Sequence, residues 1–320
     1  MPSFQPDNKE FSVPVILTDE LSKEFGQTKA VKSLNLRVEK GELFGLIGPD
    51  GAGKTTTMRM LAGILSPSSG NAYIDGISVR EDPEKIKEHF AYMPQRFGLY
   101  QDLTVIENLM FYADLFSVPK KVRSERIEHL FAFSRLGPFS NRRAGALSGG
   151  MKQKLGLTCA LIHNPHLLLL DETTNGVDPV SRRDFWKILY GLLKEGITIF
   201  VSTAYLDEAE RTTRTAFMRD GAIIELGSPK DLKALVNGVI LEIVLSDVRT
   251  AKSALTKDNR VIDVNVFGDS LHVQLSAETD QSCVREVLDG AGVKIHSLKT
   301  VAPSMEDVFL SVLSNRANRH

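Results

Sequence analysis

Gly48-Pro49-Asp50-Gly51-Ala52-Gly53-Lys54-Thr55 is the stretch that decides the fold. It matches the phosphate-loop pattern G-x-x-x-x-G-K-[ST] in full. The glycines let the backbone curl so that successive N–H groups point inward at phosphate oxygens. Lys54 adds a positive charge for the β- and γ-phosphates, and the Thr55 hydroxyl is placed to ligate magnesium. Chance produces such a pattern in roughly one chain in a hundred of this length. The surroundings fit a real site. Residues 43–47 form a compact apolar run bounded by glycines, which predicts a buried strand. Residues 55–65 have helical periodicity, stopped by Ser66-Pro67-Ser68-Ser69-Gly70. A helix there aims the positive end of its dipole at the same anion. The expectation is an ATP and magnesium site.

Further along, four leucines (residues 167–170) run into Asp171-Glu172. An apolar strand ending in two acids, downstream of a phosphate loop, places Asp171 at the metal and Glu172 as general base for an attacking water. Taken alone, the pair also reads as two strand-end acids facing solvent. Between loop and acids lies Leu147-Ser148-Gly149-Gly150-Met151-Lys152-Gln153-Lys154. Ser148 can cap a helix whose exposed N–H groups, with two glycines beside them, approach a phosphate. The plainer reading is a capped helix after a flexible turn.

At this point the chain resembles the ATP-binding cassette ATPases over about residues 13–235, with several motifs in the family's order. The resemblance makes Gly48 to Thr55 the Walker A loop, with Thr56 beside it also contacting ATP. Leu147 to Gly150 becomes the cassette signature, acting through Ser148, Gly149 and Gly150 on ATP held by a partner cassette. Asp171 closes Walker B, and Glu172 is the catalytic glutamate. Phe25 is similar to the aromatic that stacks on adenine, although it also reads as an ordinary core residue. Gln95 is similar to the Q-loop glutamine that touches magnesium and senses a membrane partner, although a strand-end amide is the plainer reading. Asn175-Gly176-Val177-Asp178 is similar to the D-loop. The magnesium set implied is Thr55, Gln95 and Asp171. The segment around Pro303-Ser304-Met305-Glu306-Asp307 is similar to the tail of drug-exporter ATPases that serve ABC-2 type permeases. Phrases such as Tyr92-Met93-Pro94-Gln95 are similar to multidrug ATPases of the YbhF type, which can carry two cassettes where this chain has one.

The pattern breaks at Ala204. Cassette ATPases usually carry a histidine at this switch position, where it contacts the γ-phosphate. Losing such a contact costs on the order of a hundredfold in rate, while the loop and metal still supply binding. Thr173 and Val177 are smaller departures, at positions where proline and leucine are common. Because cassettes act in pairs, Ala204 suggests the hydrolysis-impaired half of a heterodimer. The alternative is that Glu172 suffices and Ala204 is tolerated.

Composition bounds the rest. The chain has 320 residues and a net charge of −1, so no global basic field exists to hold nucleic acid. Lys120-Lys121-Val122-Arg123 and Arg142-Arg143 read as solvated helix faces. The two cysteines, Cys159 and Cys283, form neither a disulfide framework nor a metal spacing, and read as buried thiols. No apolar run is long enough to span a bilayer, so a separate permease must supply any membrane crossing. The expected place is then peripheral, on the cytoplasmic face of the membrane.

Residues 1–12 read as a loose leader. Residues 13–235 read as an α/β P-loop cassette, with a mostly parallel core sheet, antiparallel N-terminal strands and a helical subdomain at about 96–147. Thr104-Val105-Ile106-Glu107 in that subdomain is a capping-box pattern. Residues 236–320 read as a β-α-β-β-α-β, ferredoxin-like domain with a final amphipathic helix. The function implied is powering a small-molecule exporter. A soluble ATPase of the same superfamily is the alternative, although such proteins carry a long coiled-coil insertion, zinc-binding cysteines or two cassettes, which this sequence lacks.

Overall fold

The computed structural model describes residues 13–96 and 98–317. The leader expected over residues 1–12 lies outside them. The chain begins with a long hairpin of β1 (Ile16–Phe25) and β2 (Thr28–Val38), followed by β3 (Leu43–Ile47) and α1 (Lys54–Leu61). Next come β4 (Ser69–Ile74), β5 (Ile77–Ser78), the short α2 (Pro83–Ile86) and β6 (Phe90–Met93). Helices α3 (Val105–Leu115), α4 (Lys120–Ser134) and α5 (Gly149–Ala160) precede β7 (Leu167–Asp171). Then follow α6 (Pro179–Lys194), β8 (Thr198–Thr203), a 3-10 segment at Leu206–Arg211, β9 (Arg214–Arg219), β10 (Ala222–Gly227) and α7 (Pro229–Lys233). The last stretch holds β11 (Val239–Leu245), α8 (Val248–Leu255), β12 (Val261–Phe267) and β13 (Ser270–Leu275). It ends with α9 (Ser282–Gly290), β14 (Ile295–Val301) and α10 (Met305–Ala317).

These elements form two compact units. One runs to Tyr205 and resumes over Thr212–Ile224; the other takes Leu206–Arg211 and everything from Glu225. In the first, a six-stranded sheet has the order β10-β9-β3-β8-β7-β6. The pairings of β9, β3, β8, β7 and β6 along it are all parallel. The leucines of β7 show why a continuous apolar run is needed. Leu168 and Leu170 face the helices α3 to α6, while Leu167 and Leu169 face the second, four-stranded sheet β2-β1-β4-β5 and α1. All four are fully buried, each contributing about 2 kcal/mol of apolar burial. With both faces covered, a strand cannot alternate polar and apolar residues. The core is thus the expected mostly parallel sheet, with antiparallel strands before it and helices inserted after β6.

Helix α1 ends earlier than its periodicity predicts, at Leu61 instead of residue 65. Gly63 adopts φ +65°, the Ile64 N–H bonds the Arg59 carbonyl, and the Gly63 N–H bonds that of Met60. This Schellman arrangement stops the helix. Ile64 and Leu65, which continue the apolar period, lie beyond it. The capping box at the start of α3 forms as read: Thr104 Oγ1 accepts from the Glu107 N–H, and Glu107 accepts from the Thr104 N–H.

The second unit contains a sheet of order β12-β13-β11-β14, antiparallel throughout. With α8 and α9 in the connections, this is the ferredoxin-like arrangement. Its core joins Leu241, Ile243, Leu271 and Val273 of the sheet to Ala251, Leu255, Val284 and Leu288 of the two helices. Both cysteines are buried and free, and burial pushes the Cys159 thiol well above its ordinary value, which makes it unreactive. Helix α10 packs on the 3-10 segment Leu206–Arg211 and on α7. Among the described residues no helix is long and apolar enough to cross a membrane.

Candidate functional site

The phosphate loop leaves β3 and turns into α1 through Gly53, whose φ is +107°. A Cβ there would sit 2.4 Å from the Ala30 carbonyl oxygen, so no other residue fits. Below the loop, the Gly48 N–H bonds the Thr203 carbonyl at 3.2 Å, the Ala52 N–H bonds that of Pro49, and the Ala52 carbonyl accepts from the Gly221 N–H. Parallel pairing of β3, β7 and β8 brings their C-terminal ends to one edge. A cavity of about 140 Å³ opens there between Ala30, Gly51, Lys54, Thr55, Thr56 and Glu172. Asp50 is exposed at the loop's tip.

Lys54 is 3% exposed. Its Nζ donates to the Gly48 carbonyl at 2.8 Å and the Pro49 carbonyl at 2.9 Å, and lies 3.0 Å from Glu172 Oε1. Three acceptors satisfy the buried ammonium, as a buried charge requires. A phosphate entering the loop offers better acceptors to the same nitrogen. Glu172 has φ +50°, a left-handed backbone at the end of β7 that directs its carboxylate into this group. The other Glu172 oxygen accepts from Gln95 Nε2 at 3.4 Å.

Asp171 is 1% exposed and collects three donors. Thr55 Oγ1 donates to its Oδ1 at 3.0 Å, Ser202 Oγ to the same oxygen at 2.7 Å, and Tyr92 OH to Oδ2 at 3.1 Å. Burial first, and then the Asp171 charge, push the Tyr92 phenol above its ordinary value, so it remains a neutral donor. Hydroxyl, carboxylate and amide oxygens at Thr55, Asp171 and Gln95 are the hard donor set that magnesium prefers.

Lys54, Thr55, Gln95, Asp171 and Glu172, expected from the sequence, therefore come together. Ser202 and Tyr92 were not anticipated. The strand expected at 197–201 stops short of the Ser202-Thr203 end of β8, and nothing in the spacing marks Tyr92. Ser202 Oγ also accepts from the Glu172 N–H at 3.2 Å, so one hydroxyl fixes both acids. Thr173, one residue on, is buried with its hydroxyl unpartnered.

Phe25, Ser148, Gly149, Gly150, Asp178 and Ala204, also anticipated, take no part in these hydrogen bonds. Phe25 is 51% exposed at the end of β1, with Lys23 Nζ 5.3 Å from its ring centre. It is not a core residue. Ser148 caps α5, accepting from the Met151 N–H at 3.3 Å, and Ser148 and Gly149 are exposed. Gly150 is buried, and a Cβ there would meet Ser181 Oγ at 2.3 Å, so the close packing of α5 on α6 demands this glycine. Asp178 caps α6 through the Val180 and Ser181 N–H groups. The bonds from Ser181 first hold its carboxyl below the ordinary range. Ala204 is exposed, one residue past β8.

Comparison with known proteins bears on the family. Residues 31–175 match the ABC transporter family, and residues 227–313 match the C-terminal domain of ATP-binding protein DrrA1-3-like proteins. The chain is 42% identical over 303 residues to the probable multidrug ABC transporter ATP-binding protein YbhF of Escherichia coli, covering 93% of this chain and 52% of that one. It thus spans about half the length of that relative. It is 35% identical over 306 residues to the Nod factor export ATP-binding protein I of Rhizobium etli, covering 95% of this chain and 94% of the relative. Among solved structures, the dimeric post-hydrolysis state of the ATP-binding cassette MJ0796 bound to ADP and Pi superposes with a TM-score of 0.60 at 25% identity. That match covers 67% of this chain and 98% of the other.

Proposed function

The chain belongs to the family of ABC transporter ATP-binding proteins, and from that premise we propose that it hydrolyses ATP to power a separate membrane permease of the ABC-2 type that exports drugs or other small molecules. One observation carries the reading. Lys54, Thr55 and Glu172 line one cavity, with Asp171 hydrogen-bonded to Thr55 and Gln95 to Glu172, while Ser148, at the exposed start of α5, is bonded elsewhere. That division suits a site completed by a second cassette. Residues 13–235 would form the cassette and 236–320 an appended domain. Thr55, Asp171 and Gln95 would hold magnesium, which neutralises phosphate charge when bound.

In the proposed reaction Lys54 releases Glu172 and takes the β- and γ-phosphates. Glu172 accepts a proton from water as the water oxygen bonds the γ-phosphorus. The bond from that phosphorus to the β–γ bridging oxygen breaks, and ADP departs with the electron pair. Phe25 would stack on adenine, and Asp178 would order the D-loop beside the partner. The helical subdomain offers the permease an apolar surface, where Tyr100, Met110, Phe111, Leu115 and Phe116 are all exposed. The protein would work at the cytoplasmic face of the membrane.

With Ala204 at the switch position, this chain would hold the weaker site of a heterodimer, while its Ser148-Gly149-Gly150 segment would complete the active site of the partner. Purified alone, the chain should turn ATP over slowly, and Ala204→His should raise kcat on the order of a hundredfold. Brisk turnover by the unmodified homodimer overturns the heterodimer. Co-fractionation with membranes only when the permease is present supports the transport role; a pool that stays soluble beside that permease rejects it.

A further inference from the structure

Far from the phosphate loop, Asp75, His89 and His166 form a group of their own. Their ligand atoms all lie within 4.8 Å of one another, and among the described residues no other trio of histidine, cysteine or acid does so. His89 Nδ1 is 2.9 Å and His166 Nε2 2.5 Å from the same oxygen, Asp75 Oδ2. We propose that this trio is a binding site for a divalent transition-metal ion of zinc type.

The donor set selects the ion. Two imidazole nitrogens and one carboxylate oxygen suit zinc and its neighbours, whereas magnesium and calcium require oxygen ligands throughout. A tetrahedral ion about 2.1 Å from each atom needs ligand separations of about 3.4 Å. To reach that spacing the Asp75 carboxylate must draw back from both nitrogens, which themselves lie within 4.8 Å of each other. The side chains are 29%, 32% and 41% exposed, which leaves an entry path and a fourth position open to water.

Each ligand stands on fixed backbone. Asp75 and Gly76, at φ +51° and +78°, form the two-residue turn between β4 and β5, and the Asp75 N–H bonds the Val15 carbonyl. The His89 N–H bonds the Ile86 carbonyl, and the His166 carbonyl accepts from the Thr198 N–H at the start of β8. His166 and His89 immediately precede β7 and β6. A bound ion would therefore staple the antiparallel sheet to the core sheet. The five residues of β7 separate it from Asp171 by about 16 Å, so it is independent of the nucleotide site.

The test uses the full chain, stripped of metal and tag, without nucleotide. Titration with cobalt(II) should give one saturable equivalent with the visible bands of a low-coordinate site, and zinc should displace it and raise Tm. His89→Gln and His166→Gln should each weaken binding by at least about tenfold, and the double variant should abolish it, with binding of a fluorescent ATP analogue unchanged. Asp75→Asn keeps a residue that tolerates the left-handed turn and removes the carboxylate, so it serves should a histidine variant fail to fold. Absence of saturable binding at micromolar metal, or binding that persists in the double variant, overturns the proposal.

Discussion

Under the proposed reaction, the pairing of Lys54 with Glu172 at 3.0 Å would give one side chain two opposed duties. The carboxylate holds the ammonium in place, and in that reaction it would let go to serve as base. Glu172→Gln removes both the charge and the base while keeping the shape. Turnover should fall by about 10²–10⁴-fold, while ATP binding is kept or tightened because Lys54 loses its anionic competitor. Single-turnover assays beside nucleotide titration separate the two effects, and weakened ATP binding would contradict the assigned pairing. The residues that sequence reveals here are those whose chemistry fixes a spacing. Lys54 and Thr55 are tied to the loop, and Asp171 and Glu172 to the end of a leucine run. Ser202 and Tyr92 are tied to nothing local: they reach Asp171 from strands 31 and 79 positions away, and only the parallel pairing brings them there.

At the scale of elements, α10 shows how a helix start becomes a joint. Ser304 Oγ accepts from the Asp307 N–H while Asp307 Oδ2 accepts from the Ser304 N–H, a capping box with aspartate in place of glutamate. Asp307 is 4% exposed and also lies 3.0 Å, through both oxygens, from His272 Nδ1 on β13. Asp307→Ala should cost about 3 kcal/mol, since it removes a cap and leaves the buried His272 Nδ1 without its partner. Urea unfolding would read this, and a loss within experimental error would reject the joint. Glu306 beside it is raised above its ordinary value of 4.5, by burial first and then by Asp207 and Asp307. The folded state thus binds this proton more tightly than the unfolded chain. Its contribution is complete below pH 4.5 and is lost as pH climbs through the raised folded value. Glu306→Gln should flatten the decline in Tm over that interval. Most elements of this second unit were legible because its strands and helices are short and separated by polar turns. Residues 239–245, 248–255 and 261–267 match their expected limits. In the first unit's sheet, strands β9 and β10 were not, because Arg214–Arg219 mixes arginine with a short apolar run and its partner β3 lies far off in sequence.

At the scale of the whole molecule, the chain leaves its first unit at Tyr205, lends Leu206–Arg211 to the second, and returns at Thr212. Sequence offers no sign of this exchange. The domain border reads at residue 235, where the composition changes, yet α10 packs on a segment about a hundred residues before it. Within that segment Glu208 and Ala209 are fully buried. The segment begins two positions after Ala204, which lies just past the end of β8. Because α10 packs on this segment, a chain truncated after residue 235 should lose the packing of 206–211 while keeping its phosphate loop. Trypsin should then cut after Arg211 many times faster than in the full chain, and ATP turnover should fall with ATP binding intact. Cleavage at an unchanged rate would show that residues after 235 do not order the segment.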